Sequence, residues 1–287
     1  MAYTPVKITE CPRDAMQGLT DFIPTDVKAA YINLLLQVGF DTIDFGSFVS
    51  PKAIPQMRDT AEVLSKLDLS NTNSKLLAII ANYRGAEEAA NHHEITYLGY
   101  PFSISETFQL RNTNTTIGQA FDNVKQIAAL CAVKDKIPLI YLSMGFGNPY
   151  GDVWSPEIVM HWADRMMQEG ITNIALSDTI GIATPAQIST LYPALKNEFE
   201  EIELGAHLHS TPDSWQEKVA AAYESGCTKF DAALKGYGGC PMAKDELTGN
   251  IATENLIAYL LHQNIDLGLN LDKLQEAMDY SGKVFSS

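Results

Sequence analysis

Short runs of β-branched and aliphatic residues alternate along the whole chain with stretches whose apolar positions recur at three- and four-residue spacing. The first kind reads as strand and the second as amphipathic helix. Strands are expected at Val6–Glu10, Thr42–Ser47, Lys75–Ala81, Glu94–Pro101, Ile137–Met144, Ile171–Asp178, Glu203–Ser210 and Lys229–Gly236. Between them Thr25–Val38 carries a helical stripe of Val27, Ala30, Tyr31, Leu34, Leu35 and Val38. Further helical patterns fall at roughly 56–67, 84–92, 115–134, 155–169, 184–199, 212–225 and 251–263, with an extra C-terminal helix near 271–281. Ser155-Pro156, Thr184-Pro185 and Thr211-Pro212 each set a hydroxyl at an N-cap and a proline at the first helical position, where its missing N–H costs nothing.

A faint internal repeat supports the alternation. Gln37-Val38-Gly39-Phe40, Gln168-Glu169-Gly170-Ile171 and Glu224-Ser225-Gly226-Cys227 each read as helix end, glycine stop, link and strand. No linker rich in Pro, Gly or Ser interrupts the pattern. Eight β-then-α units predict an α/β fold, a (β/α)8 TIM barrel with an extra C-terminal helix, spanning 1–287 as a single catalytic domain. A doubly wound open sheet is the rival. Against it, the first strand leads into Pro12-Arg13-Asp14 rather than a glycine-rich phosphate loop.

Charge and cysteine usage narrow the setting. Lys plus Arg number 20 and Asp plus Glu 35, a net charge of −15 that argues against nucleic acid or an anionic membrane surface as partner. Cys11, Cys131, Cys227 and Cys240 form no C-x-x-C pair, the usage of a reducing cytoplasm. The first residues lack a signal-peptide pattern, and no apolar run reaches the roughly 18 residues needed to span a bilayer. A soluble cytoplasmic protein is expected.

In a TIM barrel the functional face lies at the carboxyl ends of the strands. Arg13 and Asp14 follow the first expected strand, Asp44 and Ser47 end the second, Ser177 and Asp178 the sixth, His207 and His209 the seventh, and Cys240 follows the eighth. His207 and His209 flank Leu208 and so share one face of their strand. Closure makes strands one, seven and eight neighbours, which brings Asp14 to the histidines, and Asn250 beyond the loop Gly236–Pro241 can add a carbonyl oxygen. An Asp, two His and an Asn suit Mg²⁺ or Mn²⁺ better than a closed zinc site. Blander duties exist for each: a turn cap for Asp14 or Asp178, a helix N-cap for Asn250, a small buried side chain for Cys240. His92, His93, His161 and His262 read as structural or solvent-facing.

Taken in order, Pro12-Arg13-Asp14-Ala15-Met16-Gln17, Ser47-Phe48-Val49-Ser50-Pro51-Lys52, Ser177-Asp178-Thr179-Ile180-Gly181, His207-Leu208-His209, Gly238-Gly239-Cys240-Pro241 and Gly249-Asn250 resemble the 3-hydroxy-3-methylglutaryl-CoA lyase family, metal-dependent carbon–carbon lyases on TIM barrels. The resemblance covers nearly the whole chain. It implies that Asp14, His207, His209 and Asn250 hold a divalent cation, Mg²⁺ or Mn²⁺, and that the substrate is a small-molecule acyl-CoA, cleaved to acetyl-CoA and acetoacetate. It further implies Arg13 beside the thioester oxygen, Cys240 as a proton carrier, and Asp44, Asp178 and His207 as candidates for the general base and its support. A homodimer is a further expectation.

The chain departs from the family pattern at three places: Asp44 stands where the family has Glu, Leu208 and Ser210 replace the usual residues around the histidines, and the loop from Cys240 to Asn250 is one residue longer. A related acyl-CoA lyase or condensing enzyme of the superfamily therefore stays an alternative, as does a non-catalytic metal-stabilised barrel that binds a ligand. Local cations must offset the acidic net charge for an anionic thioester to bind, with Lys52, Arg58, Arg84, Arg111 and Lys244 as candidates.

Overall fold

The computed structural model of the protein describes residues 5–239 and 248–285. Strands β1 (Lys7–Glu10), β2 (Thr42–Ser47), β3 (Lys75–Ile79), β4 (Ile95–Ser103), β5 (Ile137–Ser143), β6 (Asn173–Asp178), β7 (Glu203–Ser210) and β8 (Lys229–Ala232) pair in parallel in sequence order. The barrel closes where β8 returns to β1, in register from Lys7 opposite Lys229 to Glu10 opposite Ala232. A two-residue strand, β9 (Gly249–Asn250), runs antiparallel to the end of β7. The helices are α1 (Pro12–Gln17), α2 (Thr25–Val38), α3 (Thr60–Leu64), α4 (Tyr83–Ala90), α5 (Glu106–Thr113), α6 (Ile117–Lys134), α7 (Pro156–Gln168), α8 (Pro185–Glu198), α9 (Trp215–Glu224), α10 (Thr253–His262) and α11 (Leu271–Phe285). This is the TIM barrel the alternation predicts, with α11 as its extra C-terminal helix.

Two apolar layers hold it. The larger packs the outer faces of the strands against the helices, while Leu77, Ile79, Tyr97, Leu139, Tyr141 and Ala175 form a separate cluster inside the barrel. Below that cluster Glu203 sits between Lys7, its hydrogen-bond partner, and Lys229. Thr184 starts α8 as expected, in a capping box with Gln187, whose backbone N–H lies 3.3 Å from the threonine hydroxyl. Thr116 and Gln119 repeat the device at α6.

Several element boundaries differ from the sequence expectations, each for a local reason. The pattern at 56–67 splits into a 3-10 turn at Pro55–Met57 and the short α3, because Thr60 spends its hydroxyl on the Met57 carbonyl and Asp59 turns to Thr25 and Lys28. Thr211-Pro212 does not begin α9; the Ser214 hydroxyl takes the Thr211 N–H and the helix starts at Trp215. Strand β8 stops at Ala232 because Ala233 donates to the Ile251 carbonyl and Lys235 turns into the left-handed region at φ 60°. On α2 the most buried line runs through Lys28, Tyr31, Ile32 and Leu35, displaced from the expected stripe. Lys28 can sit there because it pairs with Asp59 at 2.7 Å. The helices α1 and α5 carry no apolar stripe and were not anticipated.

At the top of β1, Glu10 is fully buried. One carboxyl oxygen takes the Leu234 N–H at 2.9 Å and the other the Thr253 hydroxyl at the start of α10. Burial outweighs these bonds and pushes the carboxyl up to about 8.

Candidate active site

The carboxyl ends of the strands surround a cavity of about 490 Å³. Its polar end is made by Arg13, Asp14, His207 and His209, with Tyr141 and Ser177 beside them, and Val49, Ile54, Ile80 and Phe108 contribute an apolar wall. Asp14 is carried in by α1, whose first residue is Pro12. The two histidines come from alternate positions of β7, their ring centres 5.1 Å apart.

One ligand atom from each of Asp14, His207 and His209 lies within 4.8 Å of the others. Both imidazoles are oriented from behind. His207 Nδ1 lies 3.0 Å from an Asp231 carboxylate oxygen, and His209 Nδ1 lies 3.0 Å from the Thr179 carbonyl. Both partners only accept, so each Nδ1 carries the hydrogen, and in the neutral ring each Nε2 keeps its lone pair. His209 Nε2 is buried and has no hydrogen-bond partner among the described residues, an arrangement that is costly unless a cation or substrate group faces the lone pair. Backing of this kind fixes the ring of a metal-binding histidine. These residues fit a divalent cation with N and O ligands.

The electrostatics point the same way. Burial alone would raise the Asp14 carboxyl, but Arg13, His207, His209 and the Asn250 amide hold it down to about 2. Burial, reinforced by His207, lowers His209 to about 4, so its ring is neutral at pH 7. For His207 burial also opposes protonation, but the bond to Asp231 and the Asp231 and Asp14 charges leave it above the ordinary value.

Asn250 arrives on β9, directly opposite His209. Its amide nitrogen donates to Asp14 Oδ2 at 2.7 Å and to the Tyr237 carbonyl at 2.8 Å. The sequence expectation of a carbonyl oxygen facing the ion therefore requires the amide to turn. Gly238 lies flat against α1: a Cβ there would stand 2.8 Å from both the Asp14 carbonyl oxygen and Asn250 Nδ2, and its φ is +91°.

Arg13 is clamped between two carboxylates. Its Nε donates to both Asp44 oxygens at 3.2 and 3.1 Å, and Nη2 donates to Asp44 Oδ2 at 2.6 Å. Nη1 reaches Asp14 at 2.9 Å and the Gln17 side-chain oxygen at 2.8 Å. One Nη2 hydrogen is left without a partner among the described residues. Burial pushes the Asp44 carboxyl up to about 6 against the pull of Arg13.

Of the three candidates for a general base, only His207 lines the cavity. Asp44 lies beneath Arg13 with no face to the pocket. Asp178 is turned away altogether: Lys218 donates to one oxygen at 2.7 Å and the Ile182 N–H to the other at 2.8 Å. Its place is a buried ion pair that also binds the His209 carbonyl through Lys218, at 2.8 Å. Cys240 and Lys244 lie outside the described residues. None of Lys52, Arg58, Arg84 and Arg111 lines the cavity; Arg58 covers the Phe22 ring and Arg111 the Tyr150 ring, at 3.6 and 4.7 Å.

Three site residues went unread in the sequence. Asp231 looks like one polar position in an ordinary strand, Phe230-Asp231-Ala232; its signal is parity, since it faces the barrel interior beside the histidine strand. Gln17, one turn after Arg13, joins the guanidinium and Asp14, to which its amide donates at 2.9 Å. Tyr141 sets its ring edge-on to His207 at 5.3 Å and buries a hydroxyl that has no partner among the described residues.

The mitochondrial hydroxymethylglutaryl-CoA lyase of Rattus norvegicus is 36% identical over 282 residues, 96% of this chain and 84% of the relative. The solved structure of an HMG-CoA lyase from Acinetobacter baumannii in complex with coenzyme A and 3-methylmalate superposes with a TM-score of 0.90 at 33% identity, covering 98% of this chain and 92% of that one. For the HMG-CoA lyase from Brucella melitensis the TM-score is 0.92 at 28% identity, over 99% of this chain and 100% of that one. Residues 6–280 match the HMGL-like family, and the chain belongs to it.

Proposed function

We propose that the protein is a divalent-cation-dependent carbon–carbon lyase that cleaves 3-hydroxy-3-methylglutaryl-CoA to acetyl-CoA and acetoacetate. The observation that carries this reading is the pair of imidazoles, each anchored through Nδ1, set beside Asp14 in the same cavity as Arg13. Asp14, His207, His209 and a turned Asn250 would hold Mg²⁺ or Mn²⁺, which when bound would supply Lewis acidity to the substrate.

The protein's own groups handle the rest. The C3 hydroxyl passes its proton to water in the cavity, the bond between C2 and C3 breaks, C3 becomes the ketone carbon of acetoacetate, and the electron pair passes into the enolate of acetyl-CoA. Arg13 meets the charge on the thioester oxygen with its remaining N–H, held in aim by Asp44 and Gln17. Asp44 thus serves as the support of Arg13. Cys240, next in sequence to the cavity-lining Gly239, returns a proton to the enolate carbon. An acyl-CoA substrate is supported by the coenzyme A complex of the Acinetobacter baumannii lyase. The buried free thiols of Cys11, Cys131 and Cys227 suit a reducing cytoplasm, and no helix of the described residues is long and apolar enough to cross a membrane. A homodimer is the proposed assembly.

The test is acetoacetate release from 3-hydroxy-3-methylglutaryl-CoA with stoichiometric acetyl-CoA, dependent on Mg²⁺ or Mn²⁺, abolished by EDTA and restored by excess metal. Turnover indifferent to EDTA would refute the metal's part. Free thiol released from acetyl-CoA plus a 2-oxo acid, with no acetoacetate from the thioester, would favour a condensing enzyme instead.

A further inference from the structure

The extra helix α11 meets the Tyr237 turn and α1 through Phe285. Phe285 stacks on Tyr237 with ring centres 4.3 Å apart and interplanar angle 26°. It also packs against Cys11, Ala15 and Ala233, the apolar cluster behind α1. These contacts touch both supports of the proposed metal centre. Ala15 follows Asp14 on α1, and the Tyr237 carbonyl holds the Asn250 amide, which in turn holds Asp14. Gly238 fills the remaining gap, pressed onto the Asp14 backbone.

We infer that Phe285 is a positioning residue for the metal centre, wedging α1 and the Tyr237 turn into the one spacing at which Asp14 and Asn250 face the histidines. Nothing in the barrel's closure requires this, since β1 and β8 pair without α11. The same helix provides its own control: Tyr280 stacks on Tyr31 of α2 at 6.4 Å, and although Tyr31 meets Phe285 edge-on at 6.0 Å, Tyr280 stands one ring further from Tyr237 than Phe285 does. Loss of either aromatic weakens the packing of α11, but only Phe285 links it to Asp14 and Asn250. The inference rests on the proposed metal centre, and the experiment separates the two.

Mn²⁺ binding to the full-length protein, followed by electron paramagnetic resonance, is measured for wild type, Asp14→Ala, Phe285→Ala, Phe285→Tyr and Tyr280→Ala, with thermal melting in parallel. Wild type should bind and Asp14→Ala should not; binding indifferent to Asp14 would defeat the metal centre itself and the inference with it. Phe285→Ala should weaken Mn²⁺ affinity about tenfold and lower kcat more than it raises KM. Phe285→Tyr, which keeps the stack, should stay within about twofold. Tyr280→Ala should lower the melting temperature with Mn²⁺ affinity unchanged. Equal loss of affinity in Phe285→Ala and Tyr280→Ala, or none in either, would overturn the positioning role. Should Phe285→Ala not fold, Phe285→Leu keeps the contacts to Cys11 and Ala15 and must show the same direction.

Discussion

Asn250 stands directly across the antiparallel β7–β9 pair from His209, so a strand of two residues carries an amide to the edge of a histidine pair. The register, more than the distance along the chain, puts it there. If the amide turns its oxygen to a cation, Asn250→Ala should weaken Mn²⁺ affinity roughly 10- to 100-fold, read by calorimetry. Unchanged affinity would mean that Asn250 serves only to hold Asp14 and the Tyr237 carbonyl.

Asp231 fixes the ring of His207 by a 3.0 Å bond to Nδ1. Asp231→Ala should cost about 10- to 100-fold in metal affinity, while Asp231→Asn, whose oxygen can still accept from Nδ1, should cost less. Calorimetric titration of both variants checks the order; an Asn variant worse than Ala would contradict it.

Glu10 gives the protein a stability slope of known sign. Its folded-state carboxyl lies near 8 and its unfolded-state value near 4.5, so the folded state binds the proton more tightly. Stability from this group is full below the unfolded value and falls as pH rises toward about 8, by on the order of 5 kcal/mol in all. Urea unfolding of Glu10→Gln between pH 5 and 8.5 should lack that slope. A variant with the wild-type slope would place the titration elsewhere.

Lys218 and Asp178 are both buried and pair at 2.7 Å. Removing one partner, as in Lys218→Met, leaves a buried carboxylate and should destabilise by about 3–5 kcal/mol, whereas Lys218→Met with Asp178→Leu should recover much of the loss. Chemical denaturation of the single and double variants measures the difference. Catalysis should suffer in both, because Lys218 also holds the His209 carbonyl.

Eight strands could be read from the sequence because the outer faces of a closed parallel sheet are covered by helices, which makes each strand a nearly continuous apolar run. Helices with a stripe were legible for the same reason. Those set by local polar bonds were not: α1 is only Pro12–Gln17, and α5 begins where Ser105 caps the Phe108 N–H. That the histidine pair, Asp14 and Asn250 are neighbours was legible because strand parity and barrel closure fix which residues meet. Asp178 was misjudged because its rim position in sequence says nothing of Lys218, which comes from a helix forty residues away and takes its carboxylate. Asp231 was missed because its partner His207 is on the neighbouring strand β7, and a strand read alone does not say what its inward side chain meets.

The clamp on Arg13 also sets the order of events. A cation on both Nε2 atoms requires both imidazoles neutral, and in that state one guanidinium stands among the carboxylates of Asp14, Asp44 and Asp231, leaving the base of the cavity with a surplus of two negative charges. An anionic thioester approaching it is repelled; a divalent cation cancels the surplus. Metal should therefore enter first and acyl-CoA second, a sequence that initial-rate kinetics with both concentrations varied would reveal as compulsory-order addition.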